Sequence, residues 1–326
     1  MTINCYQYLA QVLLKNEAVL ATVVTVRGSV PREVGAKMVI LSNGEIFSTI
    51  GGGAGEAKVI QTAQQMLAAN EETAVKQWVE IDLTGAVEKV VEGVCGGKMQ
   101  VWLEKWSGQD AIALLETVIN KLQSGQKITL VTPFTIEKRP YITQEILTIE
   151  PQEAFIETLT PPPLLLIVGA GHVGEQLAKV AHSIGFQVAV QDDRPEWANA
   201  NRYAIASHIF TESIETALTT LKDHTELYVA LVTRGFRYDL EALETLLKQS
   251  VNCRYIGMIG SQKRVRLVLQ AIEKAGIPPT QLQTIYAPIG LDIGALTPEE
   301  IAVSIAAELI MVRRGGTGLP LSQIAN

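Results

Sequence analysis

Residues 161–181 read PPPLLLIVGAGHVGEQLAKVA, and this stretch decides the fold. Leu164 to Val168 run without a polar break, the pattern of a strand buried on both faces inside a parallel sheet. Gly169, Gly171 and Gly174 follow with GxGxxG spacing and open a helical segment. Asp192 ends the next apolar run about 20 residues further on, where a ribose hydroxyl ligand stands in a dinucleotide-binding domain. The alternative is that Asp192 and Asp193 end a strand and cap the next turn. Arg194 suits a 2′-phosphate or an ion pair with Asp193, which leaves both NAD and NADP open as cofactors.

Outward from this motif, FQVAVQDD, AIASHIF, ELYVALVT and CRYIGMIG are short apolar strand candidates with helical stretches between most of them. Regular alternation predicts a parallel sheet covered by helices, a Rossmann-like doubly wound domain over residues 159–326. Thr297, Pro298 and Glu300 announce the last helix with a capping box and a proline at its first position. The prolines at 161–163 cannot join a helix or a central strand, and the boundary is placed beside them, within a few residues of Thr160.

Upstream, residues 1–158 read differently. An amphipathic helix near Tyr6–Lys15 precedes the β-branched run AVLATVVTVRGSV. AKMVILSNGEIFSTI then breaks at Asn43-Gly44, a hairpin signal. TIGGGAGE leads a glycine loop into a helix, a geometry that turns backbone N–H groups toward an anion. Strands VKQWVEIDL and GKMQVWLEKW follow, then a helix from Asp110 to Gln123 closed by Gly125. The pattern weakens from Ile142 to Pro163. The fold class is therefore α/β: an N-terminal α+β domain followed by a Rossmann-like domain.

Composition narrows the function. The chain has 326 residues, 47% hydrophobic and 19% charged, enough to bury two cores. A formal charge of -7 argues against recognition of a nucleic acid backbone, and Lys263, Arg264 and Arg266 form only a small basic cluster. No apolar run reaches the roughly 20 residues of a membrane helix and no leader pattern opens the chain, so neither a membrane nor export is expected and the location read is cytoplasmic. Cys5, Cys95 and Cys253 are too scattered for a disulfide framework or a structural zinc site. Of the four histidines, His172 lies in the glycine turn, and His182, His208 and His224 fall on apparent helix or strand faces. No catalytic dyad is spelled out locally.

Seven blocks run in order through both halves: VTVRGSVPREVGAKMVI, STIGGGAGE, GVCGGKMQVWLE, IVGAGHVG, VTRGFRYDLEAL, YIGMIGSQKR and YAPIGLDIGALTPEEIAVSIAAELI. Together they resemble the xanthine dehydrogenase accessory factor (XdhC/CoxI) family. The resemblance implies a chaperone-like protein that binds the molybdenum cofactor and holds it while a partner cysteine desulfurase installs its terminal sulfur. It also implies delivery to a xanthine dehydrogenase type molybdenum hydroxylase, and a homodimer. It implies no hydride transfer. The residues alone also support an NAD(P)-dependent oxidoreductase, or a module that senses a nucleotide without chemistry.

A site for this cofactor needs N–H donors for a phosphate, polar edges for a pterin and a soft ligand near molybdenum. Gly51, Gly52 and Gly53 are expected to supply the first, Glu56 a carboxylate for pterin N–H groups, and Cys95, flanked by Gly96 and Gly97, the metal-facing sulfur. The alternative for Cys95 is a small buried hydrophobe in a turn. Cys5 and Cys253 read as structural. In the second half the expected cofactor-binding residues are Gly169, Gly171, Gly174, Asp192 and Asp292, the last also able to fix its loop by an Asx turn. Arg27, Ser29 and Arg32 either contact an anion or brace the strand ends. Two positions depart from the family pattern: Ala54 stands where many members carry a cysteine, and Phe236 where relatives often carry histidine.

Overall fold

The computed structural model describes residues 2–69, 75–83, 96–145, 150–249 and 251–324. The chain divides into two compact units, Met1–Thr160 and Pro161–Asn326.

In the first unit, α1 (Thr2–Leu13) leads into β1 (Ala18–Arg27), β2 (Lys37–Ile40) and β3 (Ile46–Phe47). Helix α2 (Gly53–Ala68), β4 (Lys76–Asp82), β5 (Lys98–Trp106), α3 (Gln109–Gln123) and β6 (Ile128–Pro133) follow, then β7 (Tyr141–Thr143) and β8 (Ala154–Leu159). An antiparallel sheet runs in the order β3-β2-β1-β5-β4, and a second, smaller one in the order β7-β6-β8. Strand β8 falls inside the stretch where the sequence pattern fades. In its AFIETL segment only Ala154 and Leu159 are buried, Phe155 and Glu157 are half-buried and Ile156 and Thr158 exposed, and pairing with β6 holds the strand where the sequence shows no long apolar run.

The alternation of β1 and β5 splits this unit into two cores. Val19, Ala21 and Val23 pack with Val59, Ala63 and Met66 of α2, and Met99, Val101 and Leu103 join them. Leu20 packs on the other face with Tyr6 and Leu9 of α1 and Leu115 of α3. A slip of one residue in β1 would exchange these two sets, so register is fixed by both cores at once. The buried Lys37 ammonium is held by Glu157 at 2.7 Å, which also accepts from the Tyr6 hydroxyl at 3.4 Å.

In the second unit β9 (Leu164–Val168), α4 (His172–Ser183), β10 (Gln187–Gln191), β11 (His208–Phe210), α5 (Ile214–Leu221), β12 (Leu227–Leu231), α6 (Phe236–Lys248) and β13 (Cys253–Met258) alternate. Then come α7 (Gln262–Lys274), α8 (Pro279–Leu282) and α9 (Pro298–Arg314). The parallel sheet has the order β11-β10-β9-β12-β13. All five residues of β9 are buried because helices cover both faces: Leu166 packs with α5 and α6 residues, Leu165 and Ile167 with Leu177 of α4 and Ile305 of α9. The capping box at Thr297 and Glu300 forms as the sequence predicts, and Gly315 ends α9 in a left-handed conformation. His224 lies in the turn before β12 rather than on a helix or strand face. Among the described residues no helix is long and apolar enough to cross a membrane.

Candidate functional site

In the first unit three loops meet at one end of the larger sheet. Gly51, Gly52 and Gly53 have φ of 138°, 76° and 67°, conformations that favour glycine, and they hand the chain to α2. Gly51 packs so closely on Pro31 that a Cβ there would stand 2.3 Å from the ring. A Cβ at Gly97 would stand 2.5 Å from the Ser29 carbonyl oxygen and 2.6 Å from that of Arg27. The Arg27–Arg32 loop thus touches both glycine segments, while Gly52, Gly53 and Gly96 have open space where a side chain would project.

Glu56 is tied into its own loop. Its Oε2 accepts from the Thr49 hydroxyl and from the backbone N–H groups of Ile50 at 3.0 Å and Gly52 at 3.1 Å. Burial raises its pKa, but these donors together outweigh burial and hold the carboxyl below the ordinary glutamate value. Gly51 N–H is spent on Thr49 Oγ1 at 3.0 Å. Two of the three glycine N–H groups expected to meet a phosphate are therefore turned inward, and one Glu56 oxygen is engaged with its own loop. The first-turn N–H groups of Gly53, Ala54 and Gly55 have no carbonyl one turn behind them, as at any helix start.

Beside this junction a cavity of about 120 Å³ is lined by Thr25, Arg27, Glu80, Lys98, Met99 and Gln100. The register sets Arg27 beside Lys98 and Asp82, and Thr25 beside Gln100 and Glu80. Lys98 pairs with Asp82 at 2.7 Å. The sequence carries the signal for this row, the polar-out alternation of Lys98 and Gln100 in KMQVW, but the cross-strand partners are long-range. Cys95 lies outside the described residues. Cys5 is buried, which pushes its thiol up to about 11, and burial pushes Cys253 up to about 12.

In the second unit Gly169, Gly171 and Gly174 form the turn into α4. Gly169 has φ 111°, and a Cβ there would stand 2.6 Å from the Val232 carbonyl oxygen. Asp192 does not present a free carboxylate to a ribose. Oδ1 accepts from Arg194 N–H at 3.1 Å and Nε at 2.8 Å; Oδ2 accepts from Arg194 Nη2 and from Ala170 N–H, both at 2.8 Å. Burial raises its pKa, but Arg194 and the Ala170 N–H outweigh burial and hold it below the usual aspartate value. Arg194 therefore pairs with Asp192, and it is Arg234 that grips Asp193, at 2.9 and 3.0 Å. The Arg194 and Arg202 guanidinium groups lie over Trp197 at 4.9 and 4.4 Å, with His172 edge-on to the same ring.

A cavity of about 310 Å³ opens at the carboxyl ends of β9, β10, β11 and β12, with Asp192, Glu212, Ser213, Thr233, Arg234 and Glu241 in its lining. Asp239, wholly buried and raised in pKa by burial, accepts from Thr233 Oγ1 and from Arg264 Nε at 2.6 Å. This tie joins the VTRGFRYD and GSQKR segments beneath the cavity. Phe236 opens α6 and is 42% exposed, so its ring is no core element. Asp292 sits on an exposed loop outside the cavity lining. That loop is secured from below, where Gly290 N–H donates to the buried Glu308 at 3.0 Å and Ser304 Oγ donates to the Leu291 carbonyl at 2.6 Å.

An antiparallel α+β unit with converging glycine loops, followed by a parallel sheet with a GxGxxG turn, defines a two-unit protein ending in a Rossmann-type domain. Residues 14–77 match the XdhC and CoxI family, and residues 165–309 match the XdhC Rossmann domain. The chain belongs to this family. It is similar, at 28% identity over 92% of its length and 94% of the relative's, to a probable xanthine dehydrogenase subunit of Bacillus subtilis (strain 168). It is 24% identical to the molybdenum cofactor insertion chaperone PaoD of Escherichia coli (strain K12), covering 91% of this chain and 83% of that one. A crystal structure described as a xanthine dehydrogenase from Bacillus halodurans superposes with TM-score 0.76 at 26% identity, over 99% of this chain and 98% of that chain.

Proposed function

We propose that this protein is an accessory factor for a molybdenum enzyme, one that binds the molybdenum cofactor as cargo and passes it to a xanthine dehydrogenase type hydroxylase. Its likeness to PaoD along nearly the whole chain supports the cargo, and its likeness to the Bacillus subtilis protein supports the client. The observation that carries the reading is the meeting of the Arg27–Arg32, Gly51–Gly53 and Gly96–Gly97 segments at one end of the first sheet.

The chemistry there suits a phosphorylated pterin. Arg27 offers charge to a phosphate, Glu80 and Gln100 offer acceptors and an amide to a pterin edge, and the glycines let backbone approach closely. Cys95, two residues before Gly97, supplies a soft sulfur ligand for molybdenum in this reading. Glu56 acts by holding the Thr49–Gly52 backbone in shape. A cysteine desulfurase would act on the cargo while it is held, and two copies of the chain would form the working assembly. The surroundings expected are cytoplasmic.

The test is to incubate the purified protein with free molybdenum cofactor, separate by gel filtration, and measure bound molybdenum and oxidised-pterin fluorescence. Near-stoichiometric retention by the wild type, reduced in Cys95→Ala and in Arg27→Ala, is the expected result. Absence of retention by the wild type refutes the cargo reading. Undiminished retention by Cys95→Ala removes the thiol from the site and leaves the carrier.

A further inference from the structure

The 310 Å³ cavity of the second unit is unused by the cargo reading, and what it binds does not depend on that reading. It lies at the carboxyl edge of a parallel sheet, around β9, whose neighbours β10 and β12 continue the chain in opposite directions. Open parallel sheets place their ligands in this crevice. The volume stands at the lower end of the range for small-molecule sites, which suits part of a nucleotide rather than the whole.

The lining is specific about what it can accept. Asp192 is filled by Arg194 and Ala170, and so has no acceptor left for a ribose. Arg234 is spent twice over: both terminal nitrogens bond to Asp193, and its guanidinium lies 3.9 Å from the Tyr238 ring centroid. This ion pair joins the ends of β10 and β12 over the end of β9. Glu212 and Glu241 remain, two carboxylates that face the cavity and form no ion pair among the described residues. Glu212 accepts one backbone N–H, from Thr211. The cavity thus presents hydrogen-bond acceptors while both neighbouring guanidinium groups are already paired.

We infer that this cavity binds the nucleoside end of a 5′-diphosphate nucleotide whose ribose hydroxyls are both free, as in NAD(H) or ADP, and rejects a 2′-phosphorylated ribose, as in NADP(H). Ribose hydroxyls and base amino groups are donors, which Glu212 and Glu241 can accept. A 2′-phosphate would bring about two negative charges against two carboxylates, with no unpaired cation among the described lining residues to receive it. The diphosphate then runs toward the Gly169–Gly174 turn at the start of α4.

The experiment is equilibrium titration of the full-length protein in low-salt buffer with four probes: NADH, NADPH, ADP and 2′-phosphoadenosine 5′-diphosphate. NADH and NADPH are followed by their fluorescence, the other two by calorimetry. Binding of NADH or ADP at least about tenfold tighter than its 2′-phosphorylated counterpart is expected, since like charges brought together in a site cost that much or more. NADH without ADP identifies a dinucleotide as the ligand, and ADP without NADH a mononucleotide; both support the inference. The double variant Glu212→Gln, Glu241→Gln, both exposed positions, should keep the wild-type melting temperature and shrink the ratio to about threefold or less. NADPH binding as tightly as NADH, failure of all four probes, or a ratio unchanged in the double variant would each overturn it.

Discussion

Replacement of Asp192 by alanine isolates the part of the Rossmann turn that rests on one side chain. The carboxylate is 4% exposed and accepts four hydrogen bonds, three from Arg194 and one from the Ala170 N–H inside the glycine turn. Hydrogen bonds to a charged group contribute about 1.5–3 kcal/mol, and an orphaned buried N–H costs about 1–3 kcal/mol. Arg194 is 28% exposed and regains water when its partner leaves, which offsets part of the loss. The net expectation is about 2–4 kcal/mol of destabilisation of the second unit. Asp193→Ala is the control: its carboxylate is 56% exposed, and an exposed pair contributes about 0–1 kcal/mol. The assay is chemical denaturation of the full chain together with amide hydrogen exchange at Ala170, which should accelerate only in Asp192→Ala. The pKa of Asp192 is lowered in the fold, so its contribution is complete above the unfolded aspartate value of about 3.9 and declines as pH falls below it. The acid branch of the stability curve should therefore flatten in the variant. If Asp192→Ala costs no more than Asp193→Ala, the carboxylate is not what holds the turn.

Other expectations follow from the same geometry. Gly97→Ala should destabilise the first unit by about 1–3 kcal/mol, because a Cβ there meets two backbone oxygens; Gly96→Ala, with open space, should be within about 0.5 kcal/mol of wild type in the same melts. Glu56→Ala should cost about 1–3 kcal/mol and raise proteolytic cleavage between Thr49 and Ala54, with Glu56→Gln intermediate, since an amide oxygen can still accept. Cys5 and Cys253, their thiols pushed up by burial to about 11 and about 12, should resist maleimide at pH 7.5 in the native protein and label once it is denatured. Rapid native labelling would contradict the burial of Cys5 or the raised thiol pKa of half-buried Cys253.

The elements that depend on local pattern were legible in the chain itself. The LLLIV run, the GxGxxG turn, the Thr297 capping box and the alternation of strand and helix after Pro163 each reflect a constraint that acts within a few residues: burial on two faces, a turn without room for Cβ, a satisfied helix start. Strand β8 was not, because it buries only Ala154 and Leu159 and is held by its pairing with β6. The same limit applied to side chains with a choice of partner. Asp192 and Glu56 stand where a ligand acid would be expected, and sequence distance could not reveal that Arg194 with Ala170 fills the first and that Thr49, Ile50 and Gly52 take up one oxygen of the second. Nor could it pair Asp193 with Arg234, 41 residues on, or join Arg27 to Lys98 across two strands. Sequence by itself determined the kinds of element and the family, because these rest on periodicity and on motifs of contiguous residues. Tertiary structure alone decided which carboxylates are spent and which are left to meet a ligand, because a hydrogen bond is satisfied by whatever group folding brings within about 3 Å.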